Sequence, residues 1–355
     1  MTTDLGQGTG EAANAAPADG AVHLETSDLR VHFPIRGGIR NRVTGHVRAV
    51  DGVDLRVTRG ETLGLVGESG CGKTTFGSSI VRTHDKMTGG IRYHAADGRV
   101  LEVAELSQQE LRTYRSEVRM IFQNPHSSLN PRRTLAEIVG EPLKIAEGLS
   151  GAALEERVAA MLRRVGLRPE YMRRYPHAFS GGERQRVSIA RALVPAPRFV
   201  VADEAVSALD VSVRSQILNL LQDLQEEFDL TYLFISHDLS VVEHLCDRVA
   251  VMYLGRIVEL SPTAQLYAAP RHPYTEALLS AVPKPDPRLR DRGRRIVLTG
   301  DVPDPSNPPS GCSFRTRCRY ATELCAAEEP PLREVAPGRL SACHHAEELE
   351  LAGVA

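Results

Sequence analysis

The sequence lacks any apolar run approaching the ~20 residues needed to cross a bilayer, so nothing in it reads as a transmembrane helix. It also lacks a charge excess. Lysine and arginine total 43 against 45 aspartates and glutamates, a formal net charge of -2. No overall field therefore draws the chain to nucleic acid or an anionic membrane, and no nucleic-acid partner is expected. Residues 1–20 have neither a basic start nor an apolar centre, which excludes a signal peptide, and the chain reads as cytosolic. In that compartment its six cysteines should be reduced or metal-bound rather than bridged. Lysine is scarce, at 73, 86, 144 and 284 only, and with abundant alanine this suggests a GC-rich genome. With 355 residues, 42% of them hydrophobic, the chain can hold two or more domains and a substantial core.

What is present is organised around Gly67-Glu68-Ser69-Gly70-Cys71-Gly72-Lys73-Thr74-Thr75, which fits G-x-x-x-x-G-K-[ST]. The apolar run 62–66 before it predicts a buried strand, and residues 74–82 after it can wind into a helix. A loop so placed lets backbone N–H groups turn inward around phosphates, with the helix N-terminus adding positive charge. Lys73 would reach the β- and γ-phosphates, and the Thr74 hydroxyl would bind Mg²⁺.

Residues 1–22 read as a disordered tail. Alternation predicts strands at 29–33 and 47–57, separated by a glycine- and arginine-rich loop insertion over 34–45. Further strands are expected at 118–122, 199–202, 232–235 and 248–253. The stretch 126–186 turns helical, with Leu154, Val158, Met161, Leu162 and Val165 on one face; a helix through Ile217, Leu221, Leu224 and Phe228 follows. Strands alternating with helices predict an α/β fold with a parallel sheet covered on both faces. Beyond Pro262 prolines cluster and four cysteines follow, which marks a separate C-terminal domain over 262–355, independent of the phosphate site.

Polar residues stand where apolar strands end. Asp203 and Glu204 follow the strand 199–202; an acid there can hold Mg²⁺ through its water shell, and a second can polarise an attacking water. His237 follows the strand ending at Ile235, where a γ-phosphate sensor would sit. Ser180-Gly181-Gly182 precedes a helix-like run; Ser180 can cap it while the glycines leave N–H groups free for an anion.

The order of phosphate loop, Phe122-Gln123, Ser180-Gly181-Gly182, Asp203-Glu204, Ser207-Ala208-Leu209-Asp210 and His237 resembles the ATP-binding cassette ATPases over residues 24 to 260. The resemblance implies a P-loop NTPase with a RecA-like core, an antiparallel β subdomain and a helical subdomain (about 126–186) inside a cassette domain of 23–261. It implies ATP and Mg²⁺ as cofactors, Thr74, Gln123 and Asp203 as Mg²⁺ ligands, and Gln123 as sensor of the transmembrane partner. Glu204 is then the catalytic base and His237 the switch histidine; Ser180, Gly181 and Gly182 bind the γ-phosphate held by the opposite subunit, Asp210 closes the D-loop, and Phe33 stacks on adenine.

Residues 64–73, 122–131 and 206–213, with His272-Pro273-Tyr274-Thr275 and the segment from Gly300 to Cys312, resemble the oligopeptide/dipeptide (and nickel) importer ATPases, in particular their second, F-type subunit. That resemblance implies a paralogous ATPase subunit or a second copy as partner, two transmembrane permease subunits, an extracellular binding protein, and a peripheral place on the cytoplasmic face of the membrane. Soluble repair or translation cassettes usually carry two fused cassettes or a long coiled-coil insertion, and neither is present; an exporter ATPase is disfavoured by the importer-like C-terminal segment. Three features depart from the pattern: Glu183 for glutamine, Ala205 for proline, and Thr75 preceded by Lys-Thr rather than the usual Lys-Ser. Glu183 would set an acid near the partner's phosphates.

Cys312, Cys318, Cys325 and Cys343 are spaced C-x5-C-x6-C-x17-C without the C-x2-C knuckle usual for zinc. Their pattern resembles that of importer ATPases carrying a [4Fe–4S] cluster; Zn²⁺ and unliganded thiols remain open. The segment 300–346 has few large apolar side chains, and a metal cross-link would substitute for a full core. Cys71 and Cys246 read as packing residues, Cys246 on a helix face.

Overall fold

The structure, a computed structural model, describes residues 21–37, 42–84, 86–123, 128–207, 209–282 and 295–354. Most of the expected tail, the first two residues of the expected helical stretch, Ala208 and part of the proline cluster lie outside the described residues.

Two strands open the chain as a long antiparallel hairpin, β1 (Val22–Gly37) and β2 (Arg42–Thr58). The expected loop over 34–45 is corrected: Ile35 pairs with Gly45 and Arg36 with Val43, so the described residues there continue the ladder. Their polar, glycine-containing composition reflects exposure on both faces of the hairpin, since cross-strand backbone bonds satisfy the main chain whatever the side chains. Next come β3 (Thr62–Val66), β4 (Thr88–His94), β5 (Val100–Glu102), β6 (Val118–Ile121), β7 (Phe199–Asp203), β8 (Thr231–Ile235), β9 (Arg248–Tyr253), β10 (Arg256–Pro262), β11 (Arg333–Ala336) and β12 (Arg339–Ser341).

One sheet has the order β2-β1-β4-β5 and is antiparallel throughout. The other runs β11-β12-β10-β9-β3-β8-β7-β6. Its strands from β9 to β6 are parallel. Every residue of β3, β7, β8 and β9 is buried, as apolar runs covered on both faces require.

The helical part holds Leu135–Glu147, Gly151–Arg164 and Gly181–Leu193. Leu154, Val158, Met161, Leu162 and Val165 are all buried, so the spacing located the correct face. Thr134 and Glu137 close the first of these helices with a capping box, which satisfies two backbone donors reciprocally.

Past Pro262 the chain folds back onto the same sheet. The β11–β12 hairpin adds antiparallel to β10 through Glu259↔Ser341 and Leu260↔Leu340. The Glu259 carboxylate accepts hydrogen bonds from the backbone N–H groups of Arg271 (2.7 Å) and His272 (2.9 Å), and its burial pushes its pKa up to about 7. Phe314 is 1% exposed and packs on Tyr253, Tyr274 and His272 at ring separations of 5.3, 5.4 and 5.6 Å. The segment 300–346 thus shares the apolar core of the parallel sheet instead of building its own.

Candidate functional site

The site begins where β3 ends. At Gly67 a Cβ would stand 2.2 Å from the carbonyl oxygen of Met252, and at Gly72, the left-handed residue before helix Lys73–Ile80, 2.0 Å from that of Ala49. Neither position can carry a side chain, so the loop is pinned between β9 and β2. Lys73 is 5% exposed and its Nζ donates to the carbonyl oxygens of Gly67 (2.8 Å) and Glu68 (2.9 Å). The amine is thereby held inside the loop.

Parallel strands deliver the acids to the same edge. Thr74 Oγ1 donates to Asp203 Oδ1 at 3.2 Å. Asp203 is 2% exposed, and burial, with a further push from neighbouring Glu204, raises its pKa to about 6. Glu204 follows at φ 46°, a left-handed conformation that costs a non-glycine residue energy and turns the chain sharply off the strand. Its backbone N–H donates to the Ile235 carbonyl at 2.9 Å. Its carboxylate accepts from Gln123 Nε2 at 2.6 Å, and its other oxygen lies 3.1 Å from His237 Nδ1. Residues that lie far apart in the chain are therefore joined in one polar chain at the strand ends.

A cavity of about 210 Å³ opens there, lined by Ser69, Gly70, Gly72, Lys73, Thr74, Thr75, Gln123 and Glu204 together with Val47, Ala49 and Pro305. The last three were not foreseen. Pro305 arrives because Arg48 N–H donates to its carbonyl at 3.2 Å, and no pattern in the sequence signals that pairing. Phe33 is not among the lining residues. It is 39% exposed and meets His84 edge to face at 5.5 Å, while Val47, its cross-strand partner, reaches the cavity.

Ser180, Gly181 and Gly182 do not line the cavity either. Ser180 caps the helix Gly181–Leu193, and the Glu183 carboxylate turns back to accept from Ser180 N–H and Oγ, both at 2.9 Å. Glu183 is thus held at its own helix N-terminus, where its charge complements the helix dipole. Asp210 is exposed and precedes the helix Val211–Phe228. From that helix Arg214 reaches Asp238, beside His237, at 2.6 Å.

The four C-terminal cysteines line one small enclosed pocket of about 10 Å³, beside Phe314 and Tyr320. None is bridged. Burial raises the thiol pKa of Cys312 to about 11 and of Cys343 to about 12, and raises that of Cys318. Among the described residues no three His, Cys, Asp or Glu side chains form a group that could hold a metal ion. The thiols converge, but as placed they are not a ligand set, so the structure supports neither the expected iron–sulfur cluster nor zinc. Cys71 and Cys246 are buried, at 6% and 7% exposure. Cys246 ends the helix Leu239–Leu245 and packs against Gly64.

The independence expected between this segment and the phosphate loop does not hold. Glu68 N–H donates to the Tyr274 hydroxyl at 2.7 Å. Arg317, one residue before Cys318, grips the Glu68 carboxylate with both terminal nitrogens, at 2.6 and 3.0 Å.

Comparison with known proteins agrees with this geometry. The family model for ABC transporter matches residues 50–207, and that for the oligopeptide/dipeptide transporter C-terminal region matches residues 258–325. The oligopeptide transport ATP-binding protein AppF of Bacillus subtilis (strain 168) is 50% identical over 322 residues, covering 90% of this chain and 96% of that protein. A protein of Brucella abortus (strain 2308) named as a peptide import ATP-binding protein is 52% identical over 320 residues, 90% of this chain and 96% of its own. Among solved structures, the post-hydrolysis dimer of the ATP-binding cassette MJ0796 with ADP and Pi superposes with a TM-score of 0.58 at 27% identity, covering 68% of this chain and 98% of that one. The cbiO1 protein of Clostridium perfringens gives a TM-score of 0.55 at 25% identity, covering 68% of this chain and 91% of that one. A phosphate loop at the end of a buried parallel strand, relatives at half identity over nine-tenths of the length and a shared fold lead to one conclusion: the chain belongs to the ABC transporter ATPases, with the oligopeptide/dipeptide transporter C-terminal region.

Proposed function

We propose that this chain is the ATP-hydrolysing subunit that energises import of di- or oligopeptides, or related solutes, through a membrane permease. The observation that carries the reading is the Glu204 carboxylate, held between Gln123 and His237 beside the Thr74–Asp203 pair. The peptide-transport relatives and the matching C-terminal region favour this over an exporter or a soluble cassette ATPase.

In this reading residues 69–75 wrap the phosphates, Cys71 included through its backbone, and Thr74, Asp203 and Gln123 hold Mg²⁺. The donor set fits: a hydroxyl and a buried carboxylate already meet, and the raised pKa of Asp203 marks a charge wanting a cation. Bound there, Mg²⁺ would neutralise charge on the β- and γ-phosphate oxygens. Glu204 takes a proton from water as the water oxygen attacks the γ-phosphorus. The bond to the bridging oxygen breaks, and ADP leaves with that electron pair. His237 holds Glu204 in place at the γ-phosphate end, and Phe33 or the nearby Val47 face would meet the adenine.

Ser180, Gly181 and Gly182 would close on ATP bound by a second cassette, a paralogous subunit or another copy, with Asp210 at the seam. The dimeric arrangement of the MJ0796 cassette supports that pairing. A groove of about 450 Å³ beside Phe122, lined also by Pro142 and by Ile145, which is 67% exposed, suits docking of the permease at the cytoplasmic face of the membrane. Two permease subunits would dock in this way, and an extracellular binding protein would deliver the solute. For Cys312, Cys318, Cys325 and Cys343 we keep a [4Fe–4S] cluster ahead of Zn²⁺ on the cysteine pattern alone, since the pocket of about 10 Å³ that the four share would have to open to admit a cluster. Residues 23–261 then form the cassette domain and 262–355 the C-terminal one.

Cells whose only copy of this chain carries Lys73→Ala should fail to accumulate a labelled tripeptide that the wild type imports. Wild-type accumulation would overturn the reading.

A further inference from the structure

Glu68 is an odd residue to find in a loop that must receive a polyanion. Its own carbonyl oxygen accepts from Lys73 Nζ at 2.9 Å, so its carboxylate belongs to the same few residues that surround the phosphate-binding amine. Left free, a carboxylate there would repel the nucleotide. It is not free: Arg317 takes both its oxygens at 2.6 and 3.0 Å, in the bidentate geometry that fixes both partners. The guanidinium is 7% exposed and the carboxylate 29%, so the arginine is shielded while the carboxylate keeps an edge open to water and ions. The Glu68 hydrogen bonds push the guanidinium pKa further up, so its charge is permanent.

Arg317 is itself held by the C-terminal segment. Its N–H donates to the Phe314 carbonyl at 3.0 Å, and Phe314 is locked among Tyr253, Tyr274 and His272. Tyr274 also accepts from Glu68 N–H, so the segment holds both the main chain and the side chain of the same loop residue. Cys312 and Cys318 bracket this turn, with Arg315 N–H donating to the Cys312 carbonyl at 3.1 Å.

We propose that Arg317 is a positioning residue for the nucleotide site: it neutralises Glu68 and draws it away from the phosphates, so the C-terminal segment sets the ATP affinity of the cassette. This rests on the reading that ATP binds at the phosphate loop. The link is electrostatic as well as mechanical, which separates it from plain support of the fold.

The test is a titration of the full chain with N-methylanthraniloyl-ATP and Mg²⁺, at low and at high ionic strength. Binding by the wild type establishes the site itself, and its absence would count against the ATP reading rather than against Arg317. Arg317→Met should weaken binding by about tenfold at low salt, the scale of one unscreened like charge within a loop's reach. That defect should shrink by about half at 0.5 M salt, since the repulsion is screened. Adding Glu68→Gln to Arg317→Met removes the repelling charge and should restore affinity to within about twofold of wild type. Glu68→Gln alone leaves the guanidinium uncompensated and should tighten binding by about threefold. It remains readable should Arg317→Met not fold, since Glu68 is partly exposed. A double variant as weak as Arg317→Met, a defect indifferent to salt, or a Glu68→Gln chain that binds no tighter than wild type would each overturn the proposal.

Discussion

The phosphate site and the thiol pocket are built on opposite plans. The first stands on the ends of β3, β7 and β8, strands buried along their whole length. Its polar groups reach one another because neighbouring parallel strands end at the same edge, where ligands of open α/β sheets bind. The second stands on turns and one short helix, Glu323–Ala327, and depends on Phe314 entering the cassette core. A site on strand ends is positioned by the sheet. A site on turns is positioned by whatever crosses it, and here that includes a link back to the phosphate loop through Arg317.

Three substitutions would break or sharpen this contrast. The largest effect belongs to Lys73→Ala. Removing the amine bonded to the loop carbonyls of Gly67 and Glu68 should weaken ATP binding by about 100-fold, the upper scale of charge-assisted hydrogen bonds, as nucleotide titration of the isolated chain would show. The C-terminal segment should keep its resistance to proteolysis, because the strand ends stay where the sheet puts them. Loosening of that segment would mean the two plans are not distinct.

Replacing Cys318 by Ser should act in the other direction. Anaerobically purified wild type with about four iron and four sulfide per chain would establish the cluster, and the variant should lose it and admit protease near residue 318. Because Arg317 is adjacent, ATP binding should weaken by about two- to fivefold rather than stay intact. Metal-free wild type together with unchanged proteolysis in the variant would remove the metal centre from the account.

The third effect is on stability rather than binding and concerns Asp203. Its pKa of about 6 in the folded chain lies above the ordinary 3.8, so the native state binds that proton more tightly than the unfolded chain does. The cost of ionising it is absent below about pH 4 and complete above about pH 6. Asp203→Asn should therefore stabilise the nucleotide-free protein by roughly 2–3 kcal/mol at pH 7.5 and by little at pH 4. Denaturation curves giving the same gain at both values would show that burial of charge is not the cause.

Much of the phosphate site was legible because its chemistry forces particular residues into fixed order. Gly67 and Gly72 are demanded by carbonyls 2.2 and 2.0 Å from where a Cβ would sit, and apolar runs such as 199–202 announce a strand whose next residue is functional. The ladder joining residues 34–37 to 42–45 was not legible, since backbone pairing asks little of exposed side chains. Phe33 was named for its aromatic character; it does not line the cavity, whereas Val47, opposite it in the ladder, does. Arg317 and Glu68 are 249 residues apart, and no local pattern marks either as the other's partner. The attachment of β11 and β12 to β10 was hidden for the same reason: short strands reveal their neighbours only in the folded chain.

Whether Glu204 removes the proton from the attacking water is read from steady-state phosphate release by the assembled transporter carrying Glu204→Gln. ATP binding should be retained, an ATP-bound pair of cassettes should accumulate, and turnover should fall by about 10²–10⁴-fold, the usual contribution of a general base. Turnover close to wild type in that complex would contradict it.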